Sequence, residues 1–126
     1  MSNLKSHLRN LEQKRQEILK AMLRLTPIIP GSYREVYRKC GKPNCWCQDG
    51  EGGHPLKRIT WTENGGSHSK AITEQDMQWV IPATENFRLF KKLYKELQDI
   101  QKDIDGIVVK ILRDIIRQTR REKKWM

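Results

Sequence analysis

Three cysteines fall within eight residues of this chain, Cys40, Cys45 and Cys47, and a histidine follows at His54. Gly-Lys-Pro-Asn separates the first two thiols, Trp46 separates the next two, and Gly50, Gly52 and Gly53 precede the histidine. Zinc takes thiolate sulfur and imidazole nitrogen, four at a time in a tetrahedron, and a tight turn lets neighbouring thiolates converge on one ion. The gaps of four and one depart from the usual knuckle, which has two residues between cysteines. Cysteines used as packing sit on periodic apolar faces, whereas these stand among Gly, Lys, Pro, Asn and Asp. An odd number of thiols also argues against a closed disulfide framework. The expectation is a structural zinc site with Cys40, Cys45, Cys47 and His54 as ligands. His68 is the other candidate for the fourth position, while His7 lies too far upstream. Four protein ligands leave no place for water, so such a site staples and does not catalyse.

The elements around the cluster must hold it in place. Leu4, Leu8, Leu11, Ile18, Met22 and Leu25 recur at spacings of three, four or seven, which predicts a helix from about Asn3 to about Leu25. Arg15 takes the one seam position that should be apolar. Thr26-Pro27 and Pro30-Gly31 stop the helix, because proline lacks the amide donor and restricts the residue before it. Ser32 to Lys39 is aromatic and β-branched enough for a short strand. Lys57 to Thr62 alternates, with Ile59 and Trp61 on one face, and Asn64-Gly65-Gly66 predicts a hairpin turn returning through Ser67 to Ala71. A β unit of this size is too small to hold itself together by burial, so it needs a staple.

Thr73 reads as the cap of a short helix ending near Pro82, and Thr84 as the cap of a longer one reaching about Thr119. That longer helix keeps Phe90, Leu93, Leu97, Ile100, Ile104, Ile107 and Ile111 at the 3-4 spacing of a coiled-coil seam. The first helix is its expected antiparallel mate. It covers only part of the seam, leaving the remainder for a partner protein or a second copy. The expected fold is therefore mainly α with a small β insert: an antiparallel helical hairpin, or coiled coil, carrying a zinc-stapled β-hairpin module. Its segments are 1–26 (helix), 31–72 (cysteine-rich module) and 73–126 (short helix, then long basic helix).

Gly31-Ser32, the run Arg38-Lys39-Cys40-Gly41-Lys42-Pro43-Asn44-Cys45-Trp46-Cys47, Gly50 and His54-Pro55 together resemble a family of small prokaryotic proteins. That family shares a CGKxxCxC core, a His-Gly-Pro, a two-stranded hairpin and a helical tail; here the glycines stand before the histidine. The resemblance spans about residues 31 to 95. It implies a zinc-like motif and an association with mobile-element genes, and it carries no established activity.

The chain has 25 Lys and Arg against 15 Asp and Glu, a formal charge of +10, with 37% hydrophobic and 32% charged residues. Such an excess attracts polyanions and repels other copies, so nucleic acid is the natural partner, DNA more than RNA. Arg34, Arg38, Lys39, Lys42, Lys57 and Arg58 surround the cysteines and are expected to form one basic face. Tyr33, Tyr37, Trp46 and Trp61 are interleaved with them, as stacking surfaces or as core. Arg117, Arg120, Arg121, Lys123 and Lys124 supply a second patch at the C-terminal end, where a solvated helix face explains them nearly as well. No stretch approaches the ~18–20 apolar residues of a membrane span, and the charged N-terminal stretch has no apolar signal core, so a cytoplasmic location is expected. There is no glycine-rich phosphate loop, Ser-His-Asp order or clustered carboxylates; Asp49 and Glu51 beside His54 read as turn residues. The expected function is a non-enzymatic nucleic-acid-binding accessory protein, serving a transposase or recombinase, with no small-molecule substrate. The alternative is a coiled-coil interaction adaptor with a structural zinc and no nucleic-acid contact.

Overall fold

A computed structural model describes residues 2–39, 41–46 and 53–124, in the order α1 (Ser2–Leu23), β1 (Gly31–Arg38), β2 (His54–Glu63), β3 (Gly66–Ala71) and α2 (Glu74–Lys123). The chain is mostly helical with one small antiparallel sheet of strand order β1-β2-β3. It divides into two compact units, residues 26–89 and residues 1–25 with 90–126. No helix among the described residues is long and apolar enough to cross a membrane.

The first unit holds the sheet. Asn64 and Gly65 both take positive φ (51° and 78°), which makes the two-residue link between β2 and β3 a turn of the mirror-image kind that matches strand twist. The short strand expected at Ser32 to Lys39 is present as β1 and joins the hairpin as a third strand, pairing along its whole length with His54–Trp61. Gly31 sits opposite Trp61, and a Cβ there would stand 2.6 Å from the carbonyl oxygen of Thr60, so only glycine allows that close approach. Ile59 is the buried apolar side chain of the sheet, joined in the core of this unit by Val80, Ala83 and Thr84 of α2.

The start of α2 follows its sequence signal: the amide of Asp76 donates to Thr73 Oγ1 at 3.3 Å, and Glu74 and Asp76 occupy the first turn. The break expected near Pro82 does not occur. Glu74–Lys123 is one helix with Pro82 inside it, and Thr84 is no cap but a buried residue whose hydroxyl donates back to the carbonyl of Ile81 at 2.8 Å. An interior proline costs a helix ~3 kcal/mol or more. Tertiary ties oppose that cost here: the amide of Ile29 donates to the carbonyl of Ala83, Asn86 Nδ2 donates to the carbonyl of Pro27, and Ala83 is fully buried.

In the second unit the buried residues are Leu11 and Met22 of α1 and Ile107 of α2. A groove there is lined by Lys14, Glu17 and Ile18 from α1 and by Glu96, Asp99 and Ile100 from α2. Arg15, the polar intruder in the seam, pairs with Glu12 one turn earlier at 3.3 Å, a partly exposed contact of small energetic weight. Further along α2, Val108, Val109, Leu112, Ile115 and Ile116 remain exposed.

Candidate metal centre

Proline and glycine shape the corner that carries Cys45. Lys42-Pro43-Asn44-Cys45 closes as a turn in which the Cys45 amide donates to the Lys42 carbonyl at 3.2 Å, with Pro43 at the position whose φ it already satisfies. Gly41, just before it, has a φ of +83°. On the other side Gly53 has a φ of +100° and is buried against the end of β1. A Cβ at Gly53 would lie 2.6 Å from the carbonyl carbon of Arg38 and 2.8 Å from its oxygen. The residue thus bends the chain into the start of β2, where His54 pairs with Arg38.

These bends bring the two side chains together. Cys45 Sγ and His54 Nε2 lie 2.9 Å apart, both part-buried, and the Trp46 ring leans on the imidazole at 4.7 Å between centroids. Zinc ligands at ~2.3 Å (sulfur) and ~2.1 Å (nitrogen) in a tetrahedron stand about 3.5 Å from each other. The pair therefore fits one edge of such a tetrahedron after opening by roughly half an ångström. Cys40 and Cys47, the other two expected ligands, lie outside the described residues, as do Asp49 and Glu51. Among the described residues no group of three or more His, Cys, Asp or Glu side chains converges as a metal cage.

His68 stands elsewhere. It pairs with Trp61, seven residues along β2 from His54, and its ring stacks on the indole at 5.6 Å. At about 3.3 Å per residue that is about 23 Å from the Cys45 corner. Of the two histidines weighed for the fourth position, only His54 is beside Cys45, the one cysteine among the described residues.

The basic residues do not share one face. Side chains alternate along a strand, so Arg34 and Arg38 of β1 stand on the same side as His54 and Arg58 of β2, whereas Lys57 is on the opposite side, across from Glu35. Lys39 and Lys42 are exposed beyond the strand end. On α2, Arg113, Arg117, Arg120 and Arg121 share a helix face by their spacing, while Lys123 stands off it. Arg117 is partly neutralised by Asp114 at 3.6 Å, and Lys124 is exposed just past the helix. Residue spacing read in isolation groups Lys57 with Arg58 as neighbours. Strand parity separates them, and that signal was already present in the alternation of Lys57 to Thr62. Gly53 carried no such signal, because its closest contact is fifteen residues upstream.

No curated protein and no solved structure matches the chain. Residues 8–80, which take in the Cys45–His54 corner and the whole sheet, match the family model described as Domain of unknown function (DUF6788), and the chain belongs to that family.

Proposed function

We propose that this protein is a non-enzymatic nucleic-acid-binding accessory factor, for DNA in preference to RNA, whose sheet is stapled by a structural zinc ion held by Cys40, Cys45, Cys47 and His54. The observation that carries the reading is the siting of Arg34, Arg38 and Arg58 on the sheet face that ends at the Cys45–His54 corner, in a chain of net charge +10. The staple fixes the strand ends, and the fixed strands hold cations in register for phosphates, which need nothing more specific. Arg117, Arg120, Arg121, Lys123 and Lys124 add a second electrostatic contact, and the pairing of α1 with α2 as an antiparallel coiled coil supports it. Leu11 with Ile107 and Ile18 with Ile100 fit that pairing, since each step of seven along one helix runs against a step of seven along the other. The resemblance to proteins near mobile-element genes makes a transposase or recombinase the machinery this factor would serve.

Electrophoretic mobility of a labelled duplex and a labelled single strand across a salt series tests the reading. Binding should be present at 50 mM salt and fall by a factor of roughly 10³ or more by 200 mM if about six phosphates are neutralised. Binding that is absent at low salt, or indifferent to salt, refutes it.

The exposed apolar residues Val108, Val109, Leu112, Ile115 and Ile116 favour a second reading, a coiled-coil adaptor whose α2 docks a protein. An adaptor should carry a stoichiometric protein through a nuclease-treated, high-salt purification, and a pure nucleic-acid binder should emerge alone.

A further inference from the structure

The sheet has one face without a single carboxylate. On it Arg34 is the direct cross-strand partner of Arg58, and Arg38 faces His54 four residues further along. The acidic residues of the three strands, Glu35 and Glu63, belong to the other side, which also carries Lys57 and Lys70. Directly opposed residues in an antiparallel pair have Cβ atoms about 4.5–5.5 Å apart, and like charges there are destabilising. A sequence that sets two arginines at opposed positions with no acid on their face leaves a place for an external anion. Arg58 Nε donates to Ser69 Oγ at 2.7 Å, which fixes that side chain over β2 and β3 while Arg34 stands over β1. Among the described residues Arg34 and Arg38 make no ion pair.

From this arrangement we infer that the acid-free face is a binding surface for single-stranded nucleic acid, an inference that rests on the proposed nucleic-acid function and names its ligand form and its residues. Arg34 and Arg58, on adjacent strands of one face, each offer a planar guanidinium fork that matches a phosphate oxyanion. Arg38 stands about 13 Å along β1 from Arg34, so a ligand that engages both carries repeated anionic groups. Between the cationic rows lies an apolar one, Val36 opposite Leu56, with Val36 exposed, which suits sugar and base surface. Trp46, 63% exposed and leaning on His54, closes the row with a free aromatic face for a base. The major groove of a duplex admits a helix or a two-stranded ribbon. A three-stranded sheet offering its flat side instead receives a strand laid across it, as sheet-based single-strand binders do.

The test uses the full chain, zinc-loaded, and fluorescein-labelled oligothymidylate longer than a site of roughly 4–16 nucleotides. Arg34→Gln with Arg58→Gln should lower affinity about tenfold at low salt and reduce the slope of log K against log salt by about 1.4. The charge-matched control, Lys57→Gln with Lys70→Gln on the far side, should stay within about twofold. Trp46→Ala should cost about tenfold. Removing the opposed charges should leave the melting temperature at or above that of the parent, so a folding defect does not mimic lost binding; Arg34→Gln alone repeats the measurement with one change. Equal losses in the two double variants overturn the inference, as does tighter binding of duplex than of single strand. If the arginine variant still binds while Arg120→Gln with Arg121→Gln does not, this face is wrong and the nucleic-acid function stands. If the parent protein binds no strand of either kind, both fall.

Discussion

Gly53→Ala should unfold the corner that sets His54 beside Cys45. The position combines a φ of +100° with a Cβ site 2.6 Å from the Arg38 carbonyl carbon and 2.9 Å from the Lys39 amide nitrogen, all rigid backbone. Strained backbone alone costs roughly 1–3 kcal/mol. The collision adds to it, because relief requires parting β1 from β2 at the Arg38–His54 pair. A small sheet has little stability in reserve, since whole domains hold only ~5–15 kcal/mol. Gly65→Ala is the control: φ there is +78°, yet nothing lies within 4 Å of the added carbon, so it should lose only the conformational part. Thermal melts of the two variants should therefore separate clearly. A Gly53→Ala protein as stable as the Gly65→Ala protein would show that the β1–β2 end is not closed as described.

Cys45→Ser should have the larger consequence. Structural zinc in small modules contributes apparent free energies of ~10–16 kcal/mol, and without the ion such modules lose their fold. Elemental analysis of the purified protein should give one zinc per chain, lost in Cys45→Ser and reduced in His54→Ala, and unchanged in His68→Ala. Strong chelators should abolish the near-ultraviolet signal of the tryptophans around the sheet while leaving much of the helical signal in place. An intact sheet in protein that carries no metal would refute the staple. Zinc retained in His54→Ala but lost in His68→Ala would reverse the assignment of the fourth ligand, against the 2.9 Å approach of Cys45 to His54.

The features that sequence made legible are those with short-range causes. Asn64-Gly65 demands positive φ at two successive positions, and Thr73 places an oxygen three residues ahead of an orphan amide; both stand where their types predict. The first helix, bounded by Pro27 and by its own apolar period, is found within two residues of its expected ends. What local pattern hid has long-range causes. Pro82 reads as a stop, but its surroundings are decided by Ile29 and Pro27, more than fifty residues earlier, which tie to Ala83 and Asn86. The β strand at Gly31–Arg38 looked weak because its alternation is poor; it is made regular by a partner, and eight consecutive residues pair with β2. Cysteine chemistry pointed to the cluster, and only tertiary geometry sets His54 beside Cys45 and His68 opposite Trp61. The basic residues were visible as a count, while their division between two sides of the sheet followed from register.

The proline within α2 has one more consequence. Pro82 presents no amide hydrogen, so the carbonyl of Gln78 lacks its ladder donor, while the carbonyl of Ala83 takes on an extra one from Ile29. Protection of that turn against solvent deuterium is then governed by a loop attachment and not by the helix itself. Loosening the Ile29 segment should let this turn exchange early, well before the turns on either side of it begin to fray.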